Sequence, residues 1–127
     1  MRLNFHHIGI ACSNIGQARE WIRKAHGIMS ESAVVYDPEQ DAELCILKTE
    51  DGSTIELISG RKVENLVNKG ISYYHICYSV PDIEQATKEL VDKGAMVISG
   101  PKIAVLFDNK RVSFLFTPTG IVELLED

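Results

Sequence analysis

The sequence predicts an α+β fold made of two βαβββ modules. Three observations point there: an internal repeat at an offset of 68 residues, paired helix-start signals, and segments that alternate apolar and polar residues. HIGIACSNIGQAREWI from His7 aligns without gaps on HICYSVPDIEQATKEL from His75, so Ile8 meets Ile76, Ile15 meets Ile83, Gln17 meets Gln85, Ala18 meets Ala86 and Ile22 meets Leu90. Further on, DGSTIELIS from Asp51 answers TGIVELLED from Thr119, which pairs Glu56 with Glu123 at an offset of 67. The repeat sets modules at about 4–59 and 72–126 inside one domain spanning 1–127.

The first strand of each module is expected near 4–12 and 73–80. A helix follows each. Asn14 and Asp82 stand at the N-cap, where a short polar side chain accepts from an orphan N–H, and Gln17 and Gln85 three residues later complete a capping-box pattern. Ile15, Ala18, Ile22 and Ala25 in one helix, and Ile83, Ala86 and Leu90 in the other, recur at helical spacing and define one buried stripe each. Trp21 is expected on or beside the same face. Gly27 and Gly94 are read as helix terminators, because glycine tolerates the left-handed closing conformation.

Three more strands complete each module, near 32–37, 42–48 and 53–59 in the first and near 96–99, 111–117 and 120–126 in the second. SGRKVENLVNKG joins the modules with a short helix carried by Val63, Leu66 and Val67. One such half-sheet cannot bury its own open face, so the two modules are expected to form one curved sheet assembly lining a cleft.

Composition narrows the function. The 127 residues are 45% hydrophobic, enough for one real core and too few for a second full domain. A net charge of −5 repels a phosphate backbone, which argues against nucleic acid as a partner. No apolar run approaches the roughly 20 residues that span a bilayer, and MRLNFHHIG lacks the basic and apolar regions of a signal peptide. No membrane association and a cytoplasmic location are therefore expected. Cys12, Cys45 and Cys77 are odd in number and lack CxxC spacing, so reduced, buried thiols are expected.

Strand alternation sorts the polar residues. Ile8 and Ile10 face the helix while His7, Gly9 and Ala11 face the other way, and Ile76, Tyr78 and Val80 likewise leave His75, Cys77 and Ser79 on the opposite side. Ile55 and Leu57 flank Glu56 as Val122 and Leu124 flank Glu123, so both carboxylates also leave the helix-packed face. Two imidazoles and two carboxylates on the inner face are costly unless paired or bound to a cation, and their nitrogen and hard-oxygen donors suit one divalent metal ion. His7, Glu56, His75 and Glu123 are thus the expected metal ligands. His6 falls on the other face and takes no ligand role, and His26 complements the carbonyls at a helix end. Arg111, at the repeat position of Glu43, is a candidate for pairing with Glu43 or with an anionic substrate.

At HHIGIAC, STIELIS, YYHICYSVPDIEQA and GIVELLE the sequence resembles the vicinal oxygen chelate superfamily, which includes glyoxalase I, methylmalonyl-CoA epimerase, extradiol dioxygenases and bleomycin-binding proteins. ENLVNKGISYYHI and RVSFLF are most similar to methylmalonyl-CoA epimerase, and glyoxalase I is nearly as close. The resemblance implies a glyoxalase-like fold, a Zn, Ni, Co or Mn ion, a small-molecule substrate such as an acyl-CoA or a thiol adduct, and a homodimer. It implies an isomerase or lyase that transfers a proton beside a carbonyl through a metal-bound enolate or enediolate, with Glu123, Glu56 or Glu43 as the base. For a glyoxalase I it also implies basic residues toward glutathione carboxylates, for which Arg19, Arg23 and Lys102 are candidates.

KIAVLFDNKR and the run Phe116, Thr117, Pro118 depart from the epimerase pattern at its glycine-rich loop and His-Pro. Two other classes stay open. An extradiol dioxygenase uses two histidines and one carboxylate around iron, against which Glu56 stands as an extra donor. A non-catalytic drug-binding and resistance protein needs no metal ligands at all.

Overall fold

A computed structural model describes residues 2–127. They form two compact units, His7–Tyr74 and His75–Asp127, the latter joined by residues 2–6.

The first unit holds β1 (Asn4–Ala11) from His7 onward, α1 (Ile15–Ala25), β2 (Ile28–Glu31), β3 (Val35–Asp37), β4 (Ala42–Thr49), β5 (Thr54–Gly60) and the short α2 (Glu64–Asn68). Its strands run in the order β2-β4-β5-β1, with β3 also on β4. β1 pairs with β5 in parallel, Ile8 opposite Ile55 and Ile10 opposite Leu57. These four residues pack with Ile22, Cys45 and Leu47 under α1. The α1 helix starts as expected: Gln17 N–H donates to Asn14 Oδ1 at 2.9 Å. It ends at His26 in an extended conformation, φ −128°, with its N–H bonded to Ile22.

Gly27 therefore does not serve as a left-handed cap. A Cβ there would meet only the tip of the exposed Glu50 side chain, which can move aside. The stripe is a second correction: Ala25, expected on it, is exposed, while Trp21 at 66% exposure lies beside Ile22 at 7%. Successive helical residues lie about 100° apart, so only one of the two can occupy the buried stripe. The strand expected at 32–37 is cut to β3, and β2 at Ile28–Glu31 precedes it outside the expected range, both antiparallel to β4. Ser32 sits between them, with its N–H on Ile46 O and its Oγ accepting from Ile46 N–H at 2.8 Å.

The second unit repeats the plan with β6 (Tyr73–Val80), α3 (Ile83–Asp92), β7 (Met96–Ala104), β8 (Lys110–Thr117) and β9 (Gly120–Glu126), in the order β6-β9-β8-β7. β6 and β9 are parallel, Tyr78 opposite Leu124. Val80, Ile83, Ala86, Leu115 and Leu124 form the core beneath α3, with Tyr78, Leu90 and Val122 packed on them. Gln85 N–H donates to Asp82 Oδ1 at 3.0 Å. Gly94, φ +109°, ends this helix in the conformation expected of it. β7 is longer than expected, crossing Gly100 and Pro101 by means of two register shifts. The opposite face of this sheet carries a second buried cluster of Cys77, Ala104, Val112, Phe114 and Leu125.

The two modules establish the expected α+β, glyoxalase-like fold class. Among the described residues, no helix is long and apolar enough to cross a membrane.

Candidate functional site

Each unit brings one histidine to one glutamate. In the first, Glu56 on β5 pairs in register with Gly9, two residues along β1 from His7 and on the same face. His7 Nε2 lies 3.8 Å from Glu56 Oε1, and the residues are 0% and 4% exposed. In the second, Glu123 on β9 is opposite Cys77, two residues along β6 from His75. There Nε2 lies 3.0 Å from Oε1, with His75 4% and Glu123 2% exposed. Phe114, directly across from Glu123 on β8, packs edge-on against the His75 ring, with centroids 5.5 Å apart and planes at 83°. Removing these carboxylates from water is costly, and an adjacent imidazole is a partial remedy. Each pair supplies one imidazole nitrogen and one carboxylate oxygen, donor types that divalent ions accept.

The other candidates fall elsewhere. Glu43 is exposed and shares its β4 face with Cys45 and Leu47, the α1 side. Glu56 is opposite Ile46, on the other face of the same sheet, so Glu43 cannot reach the His7–Glu56 pair without turning through the strand. Arg111 is engaged with Glu84 of α3 and with Glu126, whose Oε2 it reaches at 2.6 Å from Nη2. That guanidinium holds both carboxyls below their usual range, and its own pKa is raised by the same hydrogen bonds. Its place opposite Glu126 puts it on the α3 face, away from Glu123, so it is a clamp between helix and sheet. Arg19 and Arg23 are likewise spent on Glu31. His6 packs edge-on against Phe107 at 5.7 Å.

Burial pushes the Cys45 thiol up to about 11 and raises that of Cys12, where a hydrogen bond to the Ile58 carbonyl only partly opposes it. Neither is an activated nucleophile. Sequence reasoning missed two features. Asp37 is buried, and it accepts from Glu39 N–H and Gln40 Nε2 at 2.9 Å each, a turn that the Asp-Pro-Glu-Gln string could have announced. The aromatic support of His75 had no signal, because only the register of β8 on β9 puts Phe114 there.

The family model for the Glyoxalase/Bleomycin resistance protein/Dioxygenase superfamily matches residues 6–114. The chain belongs to this superfamily. Solved members similar to it include a methylmalonyl-CoA epimerase from Streptomyces coelicolor in complex with 2-nitronate-propionyl-CoA, at 23% identity, TM-score 0.76 and 99% coverage of both chains. The methylmalonyl-CoA epimerase of Mycobacterium tuberculosis is 19% identical with a TM-score of 0.81, over 97% of this chain and 87% of that one. A hypothetical protein from Bacillus halodurans is 21% identical with a TM-score of 0.76, over 100% and 96%. At these identities the superfamily fold is what they share. No curated protein matches the sequence.

Proposed function

We propose that the chain is a metal-dependent enzyme that moves a proton at a carbon beside a carbonyl, as an epimerase or a glyoxalase I does, and that His7, Glu56, His75 and Glu123 together hold one divalent ion. The observation that carries this reading is the repetition: each module independently buries one imidazole against one carboxylate at equivalent strand positions. A buried pair of this kind is costly to desolvate and adds little net stability, which favours a role in binding over one in packing. The fold shared with methylmalonyl-CoA epimerases supports the epimerase branch of the reading.

The ion, when bound, supplies positive charge beside a carbonyl oxygen, where negative charge develops as the neighbouring carbon loses its proton. Glu123 is the residue to which we assign that proton, with Glu56 second. Apolar neighbours Phe114 and Cys77 hold water away from the Glu123 carboxylate, which strengthens its electrostatic interactions with a bound substrate. His75 keeps it in position at 3.0 Å.

The test is metal analysis of anaerobically purified protein, followed by solvent deuterium exchange into methylmalonyl-CoA and into the hemithioacetal of methylglyoxal and glutathione. Bound divalent metal and metal-dependent exchange into one of them is the expected result. Protein that neither retains nor rebinds a divalent ion would overturn the reading and favour a non-catalytic binding protein.

A further inference from the structure

The face of the second unit that carries His75 and Glu123 has a chemical direction along β8. Direct partners in antiparallel strands share a face, so the register gives its rows. Phe116 lies between Met96 and Ile121, Phe114 faces Glu123, Val112 lies between Lys102 and Leu125, and Lys110 faces Ala104. The row holding Glu123 is thus flanked on one side by an apolar row and on the other by two lysines. Phe116 is 55% and Met96 69% exposed, and their register makes them neighbours in one apolar row. Lys102 is half-buried and Lys110 exposed, and neither has a carboxylate partner among the described residues, whereas Arg111 on the reverse face holds two. From Lys102 to Glu123 the backbone separation is about 12 Å, two strands across and two residues along. A lysine stem spans part of that, and the remainder is the length of a short chain.

We infer that the substrate is an amphipathic oxo acid, whose carbonyl sits at the His75–Glu123 row, whose carboxylate is held by Lys102 and Lys110, and whose apolar arm lies on Phe116 and Met96. This names the substrate class of the site proposed above and rests on that reading. The lysines act by charge, and the aromatic end acts by removing alkyl surface from water. Both are specificity determinants at opposite ends of one molecule.

The test is calorimetric binding of three probes to zinc-loaded protein: 4-oxodecanoate, 4-oxopentanoate and methyl 4-oxodecanoate. Wild type should bind the long acid about tenfold tighter than the short one, the gain of partly burying a hexyl arm. It should bind the acid about fivefold tighter than its ester. Phe116→Ser should abolish the first preference and keep the second, and Lys102→Met with Lys110→Met should do the reverse. All three positions are at least partly exposed, so the variants should fold, which circular dichroism checks. Equal affinities for the three probes in wild type, or preferences that survive the substitutions, would overturn the inference. Deuterium exchange with such flat binding leaves the proposed function standing alone. Chain-length and charge preferences without any exchange in zinc-loaded protein leave the substrate inference standing and remove the proton-transfer role.

Discussion

Two residues of the second unit separate metal binding from proton transfer. In the proposed centre His75 would supply a nitrogen donor, so His75→Ala should weaken metal affinity, and activity should return partly at high metal concentration because mass action refills the site. Glu123→Gln keeps the shape and one oxygen donor but removes the base. Its exchange rate should fall on the order of 10² to 10⁴-fold and stay low in metal-saturated protein, as read by mass spectrometry of the substrate. Near-normal exchange would shift the base to Glu56. The four ligand candidates were legible in the sequence because strand alternation has a period of two and needs no tertiary information. Glu43 and Arg111 lie on the helix side of their sheets, which alternation alone does not reveal: it fixes which residues share a face, but the helix decides which face is which. Cys45 and Leu47 lie under α1, and Glu43 goes with them.

Among the elements, both module helices begin on a polar cap. Asn14→Ala and Asp82→Ala each remove an acceptor for an N–H of the first turn and should each cost about 1 kcal/mol in urea unfolding, whereas a loss under about 0.3 kcal/mol would show that water replaces the cap. Only half of the capping box forms around α3, since the Gln85 side chain turns to Glu89 at 3.0 Å. The Arg111 clamp makes a pH-dependent contribution. Glu84 and Glu126 have pKa values lowered from 4.5 by that guanidinium, so their stabilisation is present above 4.5 and lost as pH falls through the lower folded values. Arg111→Met should therefore be less stable than wild type near neutrality, with the two converging in acid; a constant difference would assign the loss to packing. Helices and long strands were readable from caps and periodicity. The split of β2 from β3 and the extension of β7 were not, because a Ser32 hydrogen bond and two register shifts decide them, and neither leaves a pattern in the sequence.

On the scale of the whole chain, the two units match in strand order, in their parallel pairs β1–β5 and β6–β9, and in the His–Glu pair that each carries. Two donors alone make a poor metal site: protein zinc centres use four protein ligands, or three with an open position for catalysis. The proposal that the pairs act as one centre therefore predicts a single ion per chain and a shared dependence on both units. His7→Ala and His75→Ala, though on different units, should each lower the affinity for that one ion without halving a stoichiometry. The metal should also protect the chain as a whole. At a free concentration of 100 times the dissociation constant it adds about 2.7 kcal/mol to unfolding, and either substitution should shrink that gain at the same metal concentration. If each pair instead held its own ion, wild type would bind two, and each substitution would remove one and leave the other at full affinity. Equilibrium dialysis with elemental analysis, run on wild type, the two single variants and the double variant, distinguishes these outcomes. Two ions in wild type with independent losses would dissolve the shared centre and, with it, the assignment of Glu56 and Glu123 to one substrate.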